Sequence, residues 1–259
     1  MHVRRRSVFV TAAVTLVFVA CGDQPQQPAG EEQRPAAEPD EVTITVTDEG
    51  FEITGELEAE PVEITLRNEG TQRHLGFFGK LNEGVAEEDV RAARSQEDFF
   101  QLITVAGGVP SAEPGGTSEV TIRFPEGWYV ILDPEARGGP PPMGFFEVSA
   151  ATGPEVAEPT TDWTIEAGDF YFEIAGAVPG PSTVEVLNVG QQAHEVVMTP
   201  EGGGGEEDSF FTMAPAPGGA LWTETDLAPG TFTVVCHFPD PESGKEHAEL
   251  GMRSTVELT

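Results

Sequence analysis

The chain has 259 residues, with 13 basic against 45 acidic side chains and a formal net charge of −32. That length holds one large domain or two ordinary ones, each with its own core. The charge excludes nucleic acid as a partner, because phosphate binding rests on Lys and Arg; carboxylates spread along the chain without a single block suit solubility or salty surroundings, and they also steer a basic partner.

At the N-terminus, Arg4, Arg5 and Arg6 precede an apolar stretch from Val8 to Ala20, too short for a comfortable membrane span, and Ala20-Cys21 follows at once. Residues 1–20 therefore read as a bacterial lipoprotein signal. Cys21 would carry the lipid and hold an extracytoplasmic protein on the cell membrane; Phe18 departs from the Leu usual in such motifs, and Arg5-Arg6-Ser7-Val8-Phe9 resembles a twin-arginine signal. Residues 21–40, rich in Gln, Pro, Ala and Glu, read as a disordered tether. With Cys21 lipidated, Cys236 has no partner for an internal disulfide although the compartment is oxidising. Such a thiol is protected either by burial or by a metal.

Beyond the tether the chain repeats itself. Asn68-Glu69-Gly70-Thr71-Gln72-Arg73-His74 and Asn188-Val189-Gly190-Gln191-Gln192-Ala193-His194 share Asn-x-Gly-x-Gln-x-His, each after an alternating apolar run. Phe51-Glu52-Ile53 and Gly55 match Phe172-Glu173-Ile174 and Gly176, and an ungapped alignment sets Pro114-Gly115-Gly116 on Pro217-Gly218-Gly219 and Asp133 on Cys236. Two copies of one domain follow, residues 41–149 and 161–259, with 150–160 as linker. Short runs of Val, Ile, Thr and Phe between Gly and Pro turns predict strands of sandwiches. Val85 to Leu102 is the exception and predicts an amphipathic helix inserted in the first copy. The Gly-rich stretch from Pro200 to Asp208 lacks the Lys and the strand-to-helix context of a phosphate cradle.

The second copy holds Cys236-x10-His247-x4-Met252, with His194 upstream. Thiolate, two imidazoles and thioether are the donor set of a blue-copper site. Taken singly each has a plainer reading: a strand-end histidine, a core methionine, a small buried thiol. Taken in order, with His194 ending one strand, Cys236 closing another, and His247 and Met252 on the loop before the last, they make the second copy resemble a cupredoxin, the plastocyanin and azurin family of Greek-key copper proteins. The resemblance implies an all-β protein of two tandem Greek-key β-sandwiches. It implies one type 1 copper, with His194 and His247 as equatorial imidazoles, Cys236 as the thiolate and Met252 as the axial ligand.

Ten residues between Cys236 and His247 exceed the loop of simple plastocyanin-like members, although longer loops occur in the family, including copper nitrite reductases. Pro239 and Pro241 stiffen this one, and Gly244 permits a turn. His237 adjoins Cys236 and points to the other side of the strand, so it is left out. In the first copy His74 and Met143 persist, but Asp133 replaces the Cys and no second His follows; His74 with Asp133 is a weak candidate for a harder ion. The expected function is single-electron transfer with an extracytoplasmic redox partner protein. The alternatives are copper capture or delivery and a metal-free interaction module. No enzyme is expected, because so few His leave too little for a trinuclear cluster or a second copper.

Overall fold

Val62, Ile64 and Leu66 are buried while Glu63 between them and Arg67 after them are exposed, the period-two pattern of a strand with one face on a core. The same alternation recurs along the computed structural model, which describes residues 37–136, 141–205 and 208–259. The expected signal segment and Cys21, the expected site of lipidation, lie outside the described residues, as does most of the expected tether.

The first half runs β1 (Asp40–Val46), β2 (Phe51–Thr54), β3 (Leu57–Glu58), β4 (Pro61–Asn68), β5 (His74–Leu81), helices α1 (Glu87–Ala92) and α2 (Gln96–Leu102), β6 (Ile103–Ala112), β7 (Thr117–Arg123), β8 (Gly127–Leu132) and β9 (Met143–Ser149). The second runs β10 (Trp163–Gly168), β11 (Tyr171–Ala175), β12 (Gly180–Asn188), β13 (Glu195–Pro200), β14 (Phe210–Met213), β15 (Ala220–Leu227), β16 (Gly230–Val235) and β17 (Arg253–Leu258). In the first half β2-β1-β4-β7 face a sheet ordered β3-β9-β8-β5-β6; in the second β11-β10-β12-β15 face β14-β13-β16-β17. Apart from the two-residue β3, the chain crosses between sheets in the same sequence both times, so each half is a Greek-key sandwich and the molecule is all-β, as expected.

The insertion in the first half is helical, but it is two short helices instead of one. Ser95 interrupts it and caps the second, accepting a hydrogen bond from Asp98 N at 3.0 Å. Val90 and Phe99 are the residues these helices bury. They join Phe77, Ile103 and Val130 in a cluster against which Ala193, Met213 and Phe238 of the second half pack.

The halves are not separate sandwiches. β7 pairs antiparallel with β15 through Ala220↔Arg123, Leu221↔Ile122 and Trp222↔Thr121, which fuses two sheets into one of eight strands. Leu221 and Ala216 are counted in the core of the first half. Ala37 bridges Val156, so the segment joining the halves is held against the start of the described chain.

Candidate metal centre

The shared Asn and Gly shape the turn that delivers the first histidine. Asn188 Nδ2 donates to Gln192 O and Pro215 O, both at 2.9 Å, while its Oδ1 accepts from Gly190 N at 3.0 Å. Asn68 makes the same three bonds, to Gln72 O, Ala112 O and from Gly70 N. The Gly admits a carboxylate: a Cβ on Gly190 would stand 2.9 Å from His194 Nε2 and closer still to Asp169 Oδ1. Asp169 lies in the two-residue turn between β10 and β11 and accepts from Gln191 N at 2.9 Å and Gln192 N at 3.2 Å.

The long Cys236–His247 loop closes by folding on itself. His247 N donates to Phe238 O at 2.8 Å, Pro239 bridges Glu246, and Asp240 N donates to Lys245 O at 2.7 Å. Residues 239–246 are thus a small hairpin, and across its base only His237 and Phe238 stand between thiol and imidazole. A 3-10 turn at His247–Leu250 and Gly251 at φ 115° then return the chain to β17.

These elements bring His194 Nδ1 to 3.2 Å from His247 Nδ1, and His247 Nδ1 to 3.5 Å from Cys236 Sγ. The three donor atoms all lie within 4.8 Å of one another, and His194, Cys236 and His247 are at most 1 % exposed. Metal–nitrogen and metal–sulfur bonds of about 2.0–2.3 Å span such separations at ordinary ligand angles. The donor set is soft and borderline, suited to copper or zinc and unsuited to magnesium or calcium. The residues therefore fit a single thiophilic ion. Met252 is fully buried in the same core cluster as Cys236; its N donates to His247 O at 2.8 Å and its O accepts from Cys236 N at 3.3 Å.

Burial, with His247 close by, lowers the His194 pKa to about 4, and burial also lowers that of His247. Burial raises the Cys236 thiol to about 11. Near neutral pH the ring nitrogens are uncharged and the thiol keeps its proton, which an entering ion must displace. Glu195 serves the sulfur. Its N donates to Cys236 Sγ at 3.5 Å, and its buried carboxylate accepts from His237 N at 2.9 Å, tying the two ligand strands together. Phe170 sets its ring edge-on to His247, centroids 5.2 Å apart, and is the one non-glycine residue with positive φ (67°) among those described. A bulky residue in that region costs about 1–3 kcal/mol.

Comparison with known proteins returns no matching family model and no matching curated protein. Solved structures that resemble the chain include reduced auracyanin from Roseiflexus castenholzii, 20% identical over 37% of this chain and 94% of that one, TM-score 0.28. A copper nitrite reductase and a blue copper oxidase, both from Nitrosomonas europaea, are 15% identical to it; they cover 86% and 85% of this chain and 94% and 86% of their own, with TM-scores of 0.25 and 0.28. The fold and the centre stand on this chain's own topology and atoms.

The first half contrasts in its chemistry. His74 Nδ1 lies 2.7 Å from Asp133 Oδ2 and His74 Nε2 lies 3.0 Å from Asp48 Oδ1. Both ring nitrogens are committed to carboxylates, which leaves no lone pair for the harder ion considered from the sequence. Burial opposes the charge on His74, but the hydrogen bonds to Asp133 and Asp48 outweigh it and raise its pKa. His237 is half exposed and pairs with Glu246 at 2.9 Å, away from the donors. Among the described residues the one group of three such donors is His194, Cys236 and His247.

Asp169, Gln192, Glu195 and Asp240 were not singled out from the sequence. One signal was available: Asp48 and Asp169 each stand three residues before the matched Phe51 and Phe172, so extending that repeat upstream finds the carboxylate beside each histidine.

Proposed function

We propose that the chain is a type 1 copper protein that carries single electrons, with His194, Cys236 and His247 around the ion and Met252 as a weak fourth ligand. The observation that carries this reading is the convergence of two Nδ1 atoms and one Sγ in a water-excluded pocket. Copper bound there supplies a Cu(II)/Cu(I) couple, and a rigid cage of soft and borderline donors lowers the rearrangement between the two states. Burial of all three donors favours a resident ion over one captured and handed on, which needs ligands within a partner's reach. His74 held between carboxylates and His237 paired at the surface leave no imidazoles among the described residues for a second, catalytic copper. The reading is therefore a carrier, not an oxidase or reductase.

The test uses the mature chain with its thiol verified as reduced. Addition of Cu(II) gives an intense visible thiolate-to-copper absorption at one ion per chain, and Cys236→Ser abolishes it. A colourless protein that retains no copper rules the reading out. Placement on the outer side of the membrane through a lipid on Cys21 belongs to the same proposal, and Cys21→Ser then moves the protein from the membrane fraction to the soluble one.

A further inference from the structure

Beside the donor atoms runs a chain of three side chains that ligation itself does not use. His247 Nε2 lies 2.9 Å from Gln192 Oε1, and Gln192 Nε2 donates to Asp240 Oδ1 at 3.2 Å. Asp240 is 5 % exposed and is fixed in turn by Ser243, whose N and Oγ donate to Oδ2 at 2.8 and 2.6 Å. The directions of these bonds are not free. An ionised carboxylate only accepts, so the Gln192 amide nitrogen must face Asp240 and its oxygen must face His247. The oxygen can only accept as well, so the proton of neutral His247 sits on Nε2 and the Nδ1 lone pair is turned toward His194 Nδ1 and Cys236 Sγ.

We propose that Gln192, oriented by Asp240, is the positioning residue of His247: it selects the ligand-competent tautomer and docks the 239–246 hairpin onto the loop that carries His194. The inference rests on the copper reading for its consequence and on the hydrogen-bond network for its cause. It also explains why a loop this long can carry a ligand. The excursion brings Asp240 with it, and Asp240 reaches the opposite ligand loop through Gln192. Gln192 lies in the repeated motif, whereas the first half has no second histidine for such a group to serve.

Outer partners of a ligating histidine typically change metal affinity 10–100-fold when removed. Gln192→Leu in the full mature chain should weaken Cu(II) binding by that factor. Loss of the acceptor makes the imidazole a poorer donor, which penalises Cu(II) more than Cu(I); a tenfold difference between the two raises the potential by about 59 mV. The pair of changes Gln192→Glu with Asp240→Asn keeps both hydrogen bonds: donor and acceptor are exchanged between positions 192 and 240, His247 Nε2 still donates to residue 192, and the negative charge moves next to His247. It should restore Cu(II) affinity and bring the potential below that of the wild type. If Gln192→Leu gives little folded protein, Gln192→Met, unbranched and of similar size, takes its place.

A second readout needs no copper. Ring ¹⁵N spectra of the metal-free chain should show His247 as the Nε2–H tautomer in the wild type and as a mixture in Gln192→Leu. A protein that takes up no copper yet shows this change defeats the copper reading and leaves the positioning role standing. Unchanged tautomer, affinity and potential in Gln192→Leu, or a change in unfolding temperature alone, overturns the inference.

Discussion

At the residue scale the two halves perform a controlled comparison. Each has an Asp beside the Nε2 of its motif histidine, at 3.0 Å for Asp48 and His74 and 3.4 Å for Asp169 and His194, with a Gly making room. What differs is the group facing Nδ1: Asp133 in one half, thiol and imidazole in the other. Gly190→Ala and Gly70→Ala both force a Cβ against that His-Asp pair, so each should destabilise the fold by about 1–3 kcal/mol. Copper titration with a melt of each variant separates them, since Gly190→Ala alone should also weaken binding.

His74 gives the pH prediction. Its folded pKa is raised above 6.5, so the stabilisation it brings is complete below pH 6.5 and is lost as pH rises through the folded value. Denaturant melts should show stability falling from about pH 6.5 upward, and His74→Gln with Asp133→Asn, which removes both charges, should flatten that fall. Asp133→Ala alone leaves the buried Nδ1 of His74 without its partner while Asp48 still holds Nε2, and should cost about 1–3 kcal/mol. The ligand types were legible because chemistry restricts them: only a few side chains suit copper. Gln192 and Asp240 were not, because a Gln that orients a histidine and one that is merely solvated look alike until the partner is placed.

At the element scale the sequence carried most of the strands, since period-two alternation is a local signal and the repeat doubled it. Two features escaped it. The inserted helix is broken, because Ser95 competes for the backbone N–H of Asp98 where apolar spacing alone predicts continuity. The Cys236–His247 spacing is deceptive, because sequence distance does not reveal that residues 239–246 leave and return at one point. If the hairpin is an excursion, its tip is dispensable for ligation. Replacing residues 240–245 with Asn-Gly, a two-residue hairpin turn, should preserve the visible thiolate absorption while weakening Cu(II) affinity roughly as Gln192→Leu does, about 10–100-fold. Loss of the absorption would mean that the tip shapes the ligand loop directly.

For the whole molecule the decisive contact is the edge where β7 meets β15. Sequence repeats predict independent copies; they carry no information about which edges later pair. Here Leu221 is buried in the core of the first half, Arg123 stacks over Trp222 with 5.7 Å to the ring centroid, and the described residues form one compact unit. Separating the halves would expose a strand edge and apolar surface together, which invites pairing with other chains. A fragment of residues 155–259 should therefore aggregate or dimerise, while the full chain should unfold in one calorimetric transition. Copper sharpens the test. Bound only by the second half, at a thousandfold excess over Kd it adds about 4 kcal/mol, which for a chain of this size should lift the midpoint by roughly 8–16 °C. If the halves are coupled through β7 and β15, the entire transition moves by that amount, the metal-free half included. Two transitions of which copper shifts only one would show that the shared sheet does not transmit stability from the metal centre to the first half.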